Sequence, residues 1–459
     1  MSRVLFVSGN RCVDPYPVYP MGMAVVAAAL AARGHEVRQL DLLSAGTDLT
    51  ALREAARTGN PDIICYSLRN VDTSDSLDPG SWLLDGDRAA VKALREGSGA
   101  PLVIGGSGFS ILPEELLEFF AADYGITGAG EHLACELVAA LEAGRPWPRL
   151  VHSRPGGSAT AIGRPCFDAA IVPYYLKASG IVGLQTKRGC PHGCSYCSYP
   201  LLEGARVRQR DPREVVEDLE AMRRDHGIDN VFFTDSIFND VDGGYLALAE
   251  ELVRRGTGIR WTAFFRPQGL DRERLGLLKR AGLYALELGT DAADDATLEA
   301  LGKGFSFDDV LSAATACAAE GLPVAHYVMF GGPLESDATA ARGLANLERL
   351  PFAVVFAFVG IRILPATRLR LRAVQEGIIA ADASLLRPTY YVSPGVHQPE
   401  LEAAIAKAFR KRRNWIFPPS DARIRLKVMH RFGFRGILWD QLLLHDAGRT
   451  RPAHVRQAP

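Results

Sequence analysis

Two series of short apolar strands alternating with amphipathic helices run along this 459-residue chain. That alternation constrains the fold more than any other feature, because strand, helix, strand builds a parallel sheet with helices on its faces. In residues 1–150 the strand candidates are Val4 to Ser8, Glu36 to Asp41, Ile63 to Ser67, Leu102 to Gly105 and Tyr124 to Thr127. Helices such as Met21 to Arg33 and Glu114 to Phe120 lie between them. Gly34 stands at a helix C-cap position, and Gly105, Gly106 and Gly108 crowd a strand end where backbone can approach a ligand. This pattern predicts a Rossmann-like domain whose ligand sits beyond the carboxyl ends of the strands.

Pro155, Gly156, Gly157, Pro165 and Pro173 give residues 151–178 the composition of a linker. The second series then fills 179–380. Its strands are Ile181 to Thr186, Asn230 to Thr234, Arg260 to Arg266, Ala285 to Gly289, Ala325 to Phe330 and Val354 to Leu364. The helices are Pro212 to Arg224, Tyr245 to Arg255, Arg272 to Ala281, Asp308 to Glu320 and Asp337 to Arg349. Six strand–helix units fit a partial (βα)6 barrel of the TIM type, with chemistry at the carboxyl ends of its strands. After residue 380 the alternation stops, and 381–459 reads as a small C-terminal cap. Its Trp415, Phe417, Phe432, Phe434 and Trp439 either bury against the barrel or line a substrate cavity, packing being the commoner role.

Directly after the first barrel strand comes Thr-Lys-Arg-Gly-Cys-Pro-His-Gly-Cys-Ser-Tyr-Cys, which sets Cys190, Cys194 and Cys197 in CxxxCxxC spacing. Three thiolates on one loop can ligate three irons of a four-iron four-sulfur (4Fe-4S) cluster and leave the fourth iron open. A zinc site completed by His192 is the alternative, but structural zinc usually draws a second ligand pair from a distant knuckle, which this region lacks.

The cysteine run resembles the signature of the radical S-adenosylmethionine (SAM) superfamily. The resemblance implies that SAM chelates the open iron and is cleaved by an electron from the cluster to methionine and a 5'-deoxyadenosyl radical. Tyr196 occupies the aromatic position that packs near adenine in that superfamily, a buried core aromatic being the alternative. Asp235 and Ser236, in Phe-Thr-Asp-Ser, fall where relatives contact the SAM amino group; Asp235 also reads as an N-cap. Glu287, Thr290 and Asp291, in Glu-Leu-Gly-Thr-Asp, resemble the strand-four motif that meets the ribose and methionyl group, with Asp291 where many relatives have Glu. Lys303 matches a recurrent basic position or is simply solvated. Gly331 and Gly332 resemble a turn that passes close to adenine, or a plain strand exit. Arg362 resembles the sixth-strand motif of cobalamin-type members and needs a carboxylate, either that of SAM or Glu287.

Tyr-Pro-Met-Gly-Met-Ala after the first strand, Arg-Gly-His-Glu-Val before the second and Gly-Ala-Gly-Glu at 128–131 are similar to the cobalamin (B12)-binding-type domains that precede many radical SAM domains. The DxHxxG signature that gives cobalt an axial histidine is absent, the loop reading Asn10-Arg11-Cys12-Val13-Asp14-Pro15 instead. The resemblance therefore implies cobalamin without a protein imidazole, lying near Cys12, Ser67, Gly105 to Ser107 and Glu131. Cys12 is a candidate ligand or reactive thiol, Cys166 lies in the linker, and Cys65, Cys135 and Cys317 read as buried inert thiols.

A net charge of -1 gives no electrostatic footprint for nucleic acid. No apolar run has the length of a membrane span, and no signal-peptide pattern opens the chain. Eight cysteines in so long a chain form no secreted disulfide framework, which fits a cytoplasmic protein. The leading expectation is a radical SAM enzyme that C-methylates a small natural-product intermediate with cobalamin. It would be fed by an electron donor such as flavodoxin or ferredoxin. A cobalamin-independent rearrangement, heteroatom exchange or ring modification is the second reading. A non-catalytic iron-sulfur or zinc scaffold or sensor is the third.

Overall fold

The structure is a computed structural model that describes residues 1–13, 15–46, 48–78, 80–153, 162–410 and 412–443. The proline- and glycine-rich residues 154–161 of the expected linker, and the end of the expected cap from 444, lie outside the described residues.

Six parallel strands form the first sheet: β1 (Arg3–Ser8), β2 (Glu36–Asp41), β3 (Ile63–Ser67), β4 (Leu102–Gly105), β5 (Tyr124–Thr127) and β6 (Leu150–His152). Their order is β2-β1-β3-β4-β5-β6, so the chain reverses direction across the sheet between β1 and β3. β3 is almost wholly buried and reads Ile-Ile-Cys-Tyr-Ser, the continuous apolar run of a strand covered on both faces. β6 has three residues, too few for a period-2 signal, and the sequence placed its stretch at the edge of the linker.

The second sheet curls into the partial barrel. Its strands are β7 (Val182–Leu184), β8 (Asn230–Phe233), β9 (Arg260–Phe265), β10 (Leu286–Asp291), β11 (Val324–Phe330) and β12 (Ala353–Val359), joined by β13 (Trp415–Ile416). They pair in parallel in the order β13-β12-β11-β10-β9-β8-β7. The helices between them are signalled locally. Asp211 caps Pro212–His226 at its start and left-handed Gly227 ends it, while Ser306 and Asp309 form a capping box on Phe307–Ala319. Val354 to Leu364, expected as one strand, breaks at Gly360 (φ 75°), after which Ile361–Arg362 pairs with Tyr390–Tyr391.

Period-2 alternation sorts the barrel side chains. Leu286, Leu288, Val324 and Val231 pack outward with helix residues such as Leu275 and Leu219, so Glu287, Gly289, Ala325 and Phe232 face the lumen. The C-terminal segment adds β13 beside β12 and packs Ile437, Leu438 and Trp439 against Ile181, Ala285, Ala325 and Val354 at the amino-terminal end of the barrel. Of its aromatics, Trp415 and Trp439 are buried, whereas Phe432 is exposed.

Candidate functional site

A cavity of about 310 Å³ opens where the two sheets face each other. On one side it reaches Ser8, Ser67 and Gly105 to Ser107, the carboxyl ends of β1, β3 and β4 at the reversal point of the first sheet. Open parallel sheets of this kind bind ligands at that point. On the other side it meets Gln185, Arg188, Thr234 and the stretch Tyr199 to Glu203, which follows Cys197 directly. Apolar side chains including Phe6, Val26, Val103 and Ile126 line it together with serines and arginines. A Cβ at Gly22 would meet nothing within 4 Å, whereas at Gly106 (φ 102°) one would strike Leu68 O at 2.5 Å. A half-buried ion pair crosses the wall, Arg188 Nη2 to Glu131 Oε1 at 2.7 Å.

Backbone contacts from three elements hold the cysteine loop. Gly189 (φ 94°) turns the chain into it at a place where any Cβ would sit 2.0 Å from Arg206 O. Cys190 N donates to Gly204 O at 3.0 Å, Ser195 N to Leu301 O at 2.8 Å, and Leu369 N to Ser195 O at 2.8 Å; Arg368 also donates to Gly193 O. Cys190 is buried, and Cys194 and Cys197 are half-buried. Two cations that are themselves buried, Arg266 and Lys303, face the thiols. Positive charge there lowers the cost of gathering thiolates. Among the described residues no three His, Cys, Asp or Glu side chains converge as closely as a single metal ion requires. Three thiols backed by two cations are the donor set of a cluster with one open iron, and they fit the 4Fe-4S group.

Asp291 links this loop to the barrel. The β10–β11 register slips between Leu288 and Asp291, and Asp291 takes φ 60°. A slip of this kind re-aims a side chain. Its carboxylate receives Lys303 Nζ at 2.5 Å and the hydroxyl of Tyr196. Lys303 is therefore a buried, paired base rather than a solvated one, and Asp291 holds it raised against burial. Ser236 Oγ donates to Glu203 Oε2 at 2.8 Å, beside the cavity.

Other expected contacts are placed differently. Arg362 does not pair with Glu287: its Nε donates to Asp72 Oδ2 of the first half of the chain at 2.8 Å. No periodicity in the sequence could couple positions so far apart. Glu287 is 1% exposed and both its oxygens are engaged below the strand ends, by Tyr16 at 3.3 Å, Trp439 at 3.2 Å and Tyr327 at 3.0 Å. Thr290 faces outward, its Oγ1 2.8 Å from His326 Nδ1. Asp235 caps no helix; it accepts from Thr186 N (2.7 Å), Thr186 Oγ1 (2.5 Å) and Lys187 N (3.1 Å), and burial pushes it up to about 6. The amides of Gly331 and Gly332 donate to Glu335 Oε2 at 2.5 and 2.8 Å, so the turn satisfies itself. Cys12 receives Asn70 Nδ2 at 3.1 Å and is not among the residues lining the cavity. Cys166 is exposed, while Cys65, Cys135 and Cys317 are buried as expected.

Arg266, Glu203, Tyr16 and Tyr327 carried no motif. Glu203 was nevertheless within reach of sequence reasoning, since it lies six residues beyond Cys197 and accepts from Gln185 at 3.1 Å and Gly189 at 3.2 Å.

Residues 184–342 match the radical SAM superfamily, and residues 11–138 match the B12 binding domain. Tryptophan 2-C-methyltransferase of Streptomyces laurentii is 27% identical over 426 residues, covering 76% of this chain and 71% of that protein. An uncharacterized methyltransferase of Pyrococcus horikoshii is 25% identical, covering 75% of this chain and 77% of that one. Among solved structures, the radical S-adenosylmethionine methyltransferase TsrM of Kitasatospora setae, with cobalamin and a [4Fe-4S] cluster bound, superposes with TM-score 0.83 at 24% identity over 97% of this chain and 98% of its own. OxsB, a cobalamin-dependent S-adenosylmethionine radical enzyme with aqua-cobalamin and S-adenosylmethionine bound, superposes with TM-score 0.70 at 14% identity over 94% and 71%. At these identities the two structures establish the shared fold. Among the described residues no helix is long and apolar enough to cross a membrane.

Proposed function

We propose that this chain, a radical SAM protein with a B12-binding domain, transfers a methyl group to an unactivated carbon of a small metabolite. One observation carries the reading: a single cavity runs from the strand ends of the B12-binding sheet to Gln185, Thr234 and the stretch that follows the cysteine loop. Two reactive groups bound at its two ends would meet inside one water-poor space. The likeness to tryptophan 2-C-methyltransferase supports methyl transfer over rearrangement.

When bound, the cluster and SAM supply a carbon-centred radical, and the corrin supplies the methyl group. Cys190, Cys194 and Cys197 hold the cluster, with Arg266 and Lys303 balancing its negative charge. Tyr196 and Asp291 fix the far side of the cysteine loop. Ser236 and Thr234 stand at the edge of β8 nearest the loop and are the SAM-contacting candidates. Gly22 leaves room for the corrin, and the Glu131–Arg188 pair clamps its domain onto the barrel. We infer a division into a corrin-binding domain at 1–150, a barrel at 179–380 and a cap from 381, and a cytoplasmic enzyme reduced by flavodoxin or ferredoxin.

The test is anaerobic reconstitution with iron, sulfide and cobalamin, followed by an ultraviolet–visible spectrum and assay for methylated product and 5'-deoxyadenosine. Corrin absorbance with methylated product supports the reading. Full turnover without cobalamin replaces it with a cobalamin-independent radical conversion.

A further inference from the structure

The turn between the first two thiols of the cysteine loop reaches solvent outside the cavity. Pro191 and Gly193 are exposed, and neither they nor His192 lines the space shared with the first domain. Electron tunnelling weakens steeply with distance, so a protein reductant acts where the shell over the redox centre is thin. At Pro191 and Gly193 that shell is one turn of backbone.

The helix Arg368–Gln375 stands beside this turn. Leu369 N donates to Ser195 O at 2.8 Å, and Arg368 donates to Gly193 O. Leu369 and Ala373 are buried, so Arg368, Leu371, Arg372 and Gln375, at i, i+3, i+4 and i+7, share the outer face. Leu371 is 61% exposed, a large apolar side chain set between two arginines. Arg368 and Arg370 donate to the carbonyls of Gly193 and Ala381, and among the described residues neither has a carboxylate partner. Arg372 lies 3.5 Å from Glu376. The first turn of this helix therefore holds two arginines and no acid, against the preference of the positive end of a helix dipole. Local conflicts of that kind gather at functional sites. In a chain of net charge -1 the basic patch is local to this face.

We propose that this face is the docking surface of an acidic one-electron carrier protein, which seats on Leu371, is held by the arginines around it, and reduces the cluster across the Pro191–Gly193 turn. Electron-transfer encounters need only a small patch, arginine is enriched in such contacts, and opposite charge speeds and orients the approach. One electron leaves the carrier's reduced centre and enters the cluster, and no bond forms or breaks. The inference rests on the proposed function only in requiring a reduced cluster.

Anaerobic stopped-flow mixing of the reconstituted protein with fully reduced flavodoxin, read as bleaching of the cluster's visible absorbance, tests it. Dithionite, which needs no docking surface, is the control reductant, and reduced ferredoxin is the second carrier. Raising the ionic strength should slow the carrier by about tenfold or more, because steering between opposite charges is screened. Leu371→Glu and Arg372→Glu should each slow the carrier about fivefold or more at low salt. Both should keep the wild-type iron content and dithionite rate. Lys92→Glu, which reverses an exposed charge on the first domain, should change neither rate. A salt-independent carrier rate, equal slowing by Lys92→Glu, parallel slowing of dithionite, or no reduction by either carrier would overturn the proposal. Because the cluster is read and not the product, a protein reduced through this face that methylates nothing would count against methyl transfer alone.

Discussion

Arg362 and Asp72, 290 positions apart, meet at 2.8 Å with both side chains 5% exposed. The remaining guanidinium nitrogens are also committed, Nη1 to Ile363 O and Nη2 to Leu385 O, each at 2.7 Å. The pair fastens the first domain to the strand Ile361–Arg362. Arg362→Ala would leave a buried carboxylate without its cation, a change that costs about 3–5 kcal/mol. Thermal denaturation should show a large fall in Tm, while SAM affinity of the folded fraction stays near wild type. A SAM defect with unchanged Tm would return Arg362 to the cofactor site.

Cluster assembly should depend on Gly189 as much as on the thiols. Its φ of 94° and the 2.0 Å approach to Arg206 O leave no place for a methyl group. Gly189→Ala should lower bound iron severalfold with all three cysteines intact, read as iron and sulfide per chain after reconstitution. The Cys190, Cys194 and Cys197 to Ala triple variant should lose iron and 5'-deoxyadenosine formation outright while its far-ultraviolet circular dichroism is unchanged.

The strands and helices of the barrel were legible because its outward residues obey period 2 and its helices carry caps such as Asp211 and Ser306. The cysteine triad was legible because its three thiols lie within eight residues of chain. Arg362 with Asp72, and Glu287 with Tyr16 and Trp439, were not. Each joins segments whose proximity is created only by docking the first domain and the C-terminal segment onto the barrel. Asp291 was found by its motif, but its left-handed backbone and its bond to Tyr196 follow from the register slip in β10, which leaves no mark in composition.

Asp291 is also the counter-charge of a buried ammonium. Asp291→Ala would strand Lys303, which is 5% exposed, and should cost about 3–5 kcal/mol. Adding Lys303→Met should recover part of that loss, since an apolar chain in the same space needs no partner. Chemical denaturation of the single and double variants measures the coupling. Additive losses would mean that the pair is not linked in stability.

Glu287 makes stability depend on pH. Burial pushes its carboxyl up to about 7, against three donors that pull it down. The unfolded value is about 4.3, so the folded protein retains a proton that the unfolded chain releases between those values. The contribution is complete below the unfolded value and is lost as pH rises through about 7. Burial raises Asp87 and Glu335 to about 7 as well, with the same sign. Tm should therefore fall from pH 5.5 to pH 8. Glu287→Gln should flatten part of that slope, and an unchanged slope would assign it to the other raised carboxyls, Asp87, Asp235 and Glu335.

Gly22 offers a way to close the cavity without touching the cluster. It lies in the helix Met21–Ala32 on the cavity wall, and a Cβ there meets nothing within 4 Å. Leucine in place of a helical glycine is favourable by up to about 1 kcal/mol, so Gly22→Leu should fold at least as stably as the wild type. Its branched side chain would project from the wall of the cavity in which the corrin is proposed to lie. Reconstituted Gly22→Leu should bind iron normally, take up much less cobalamin and lose methylated product, while SAM cleavage to 5'-deoxyadenosine persists. Normal cobalamin content in that variant would place the corrin elsewhere. Normal product with no cobalamin would remove the corrin from the reaction.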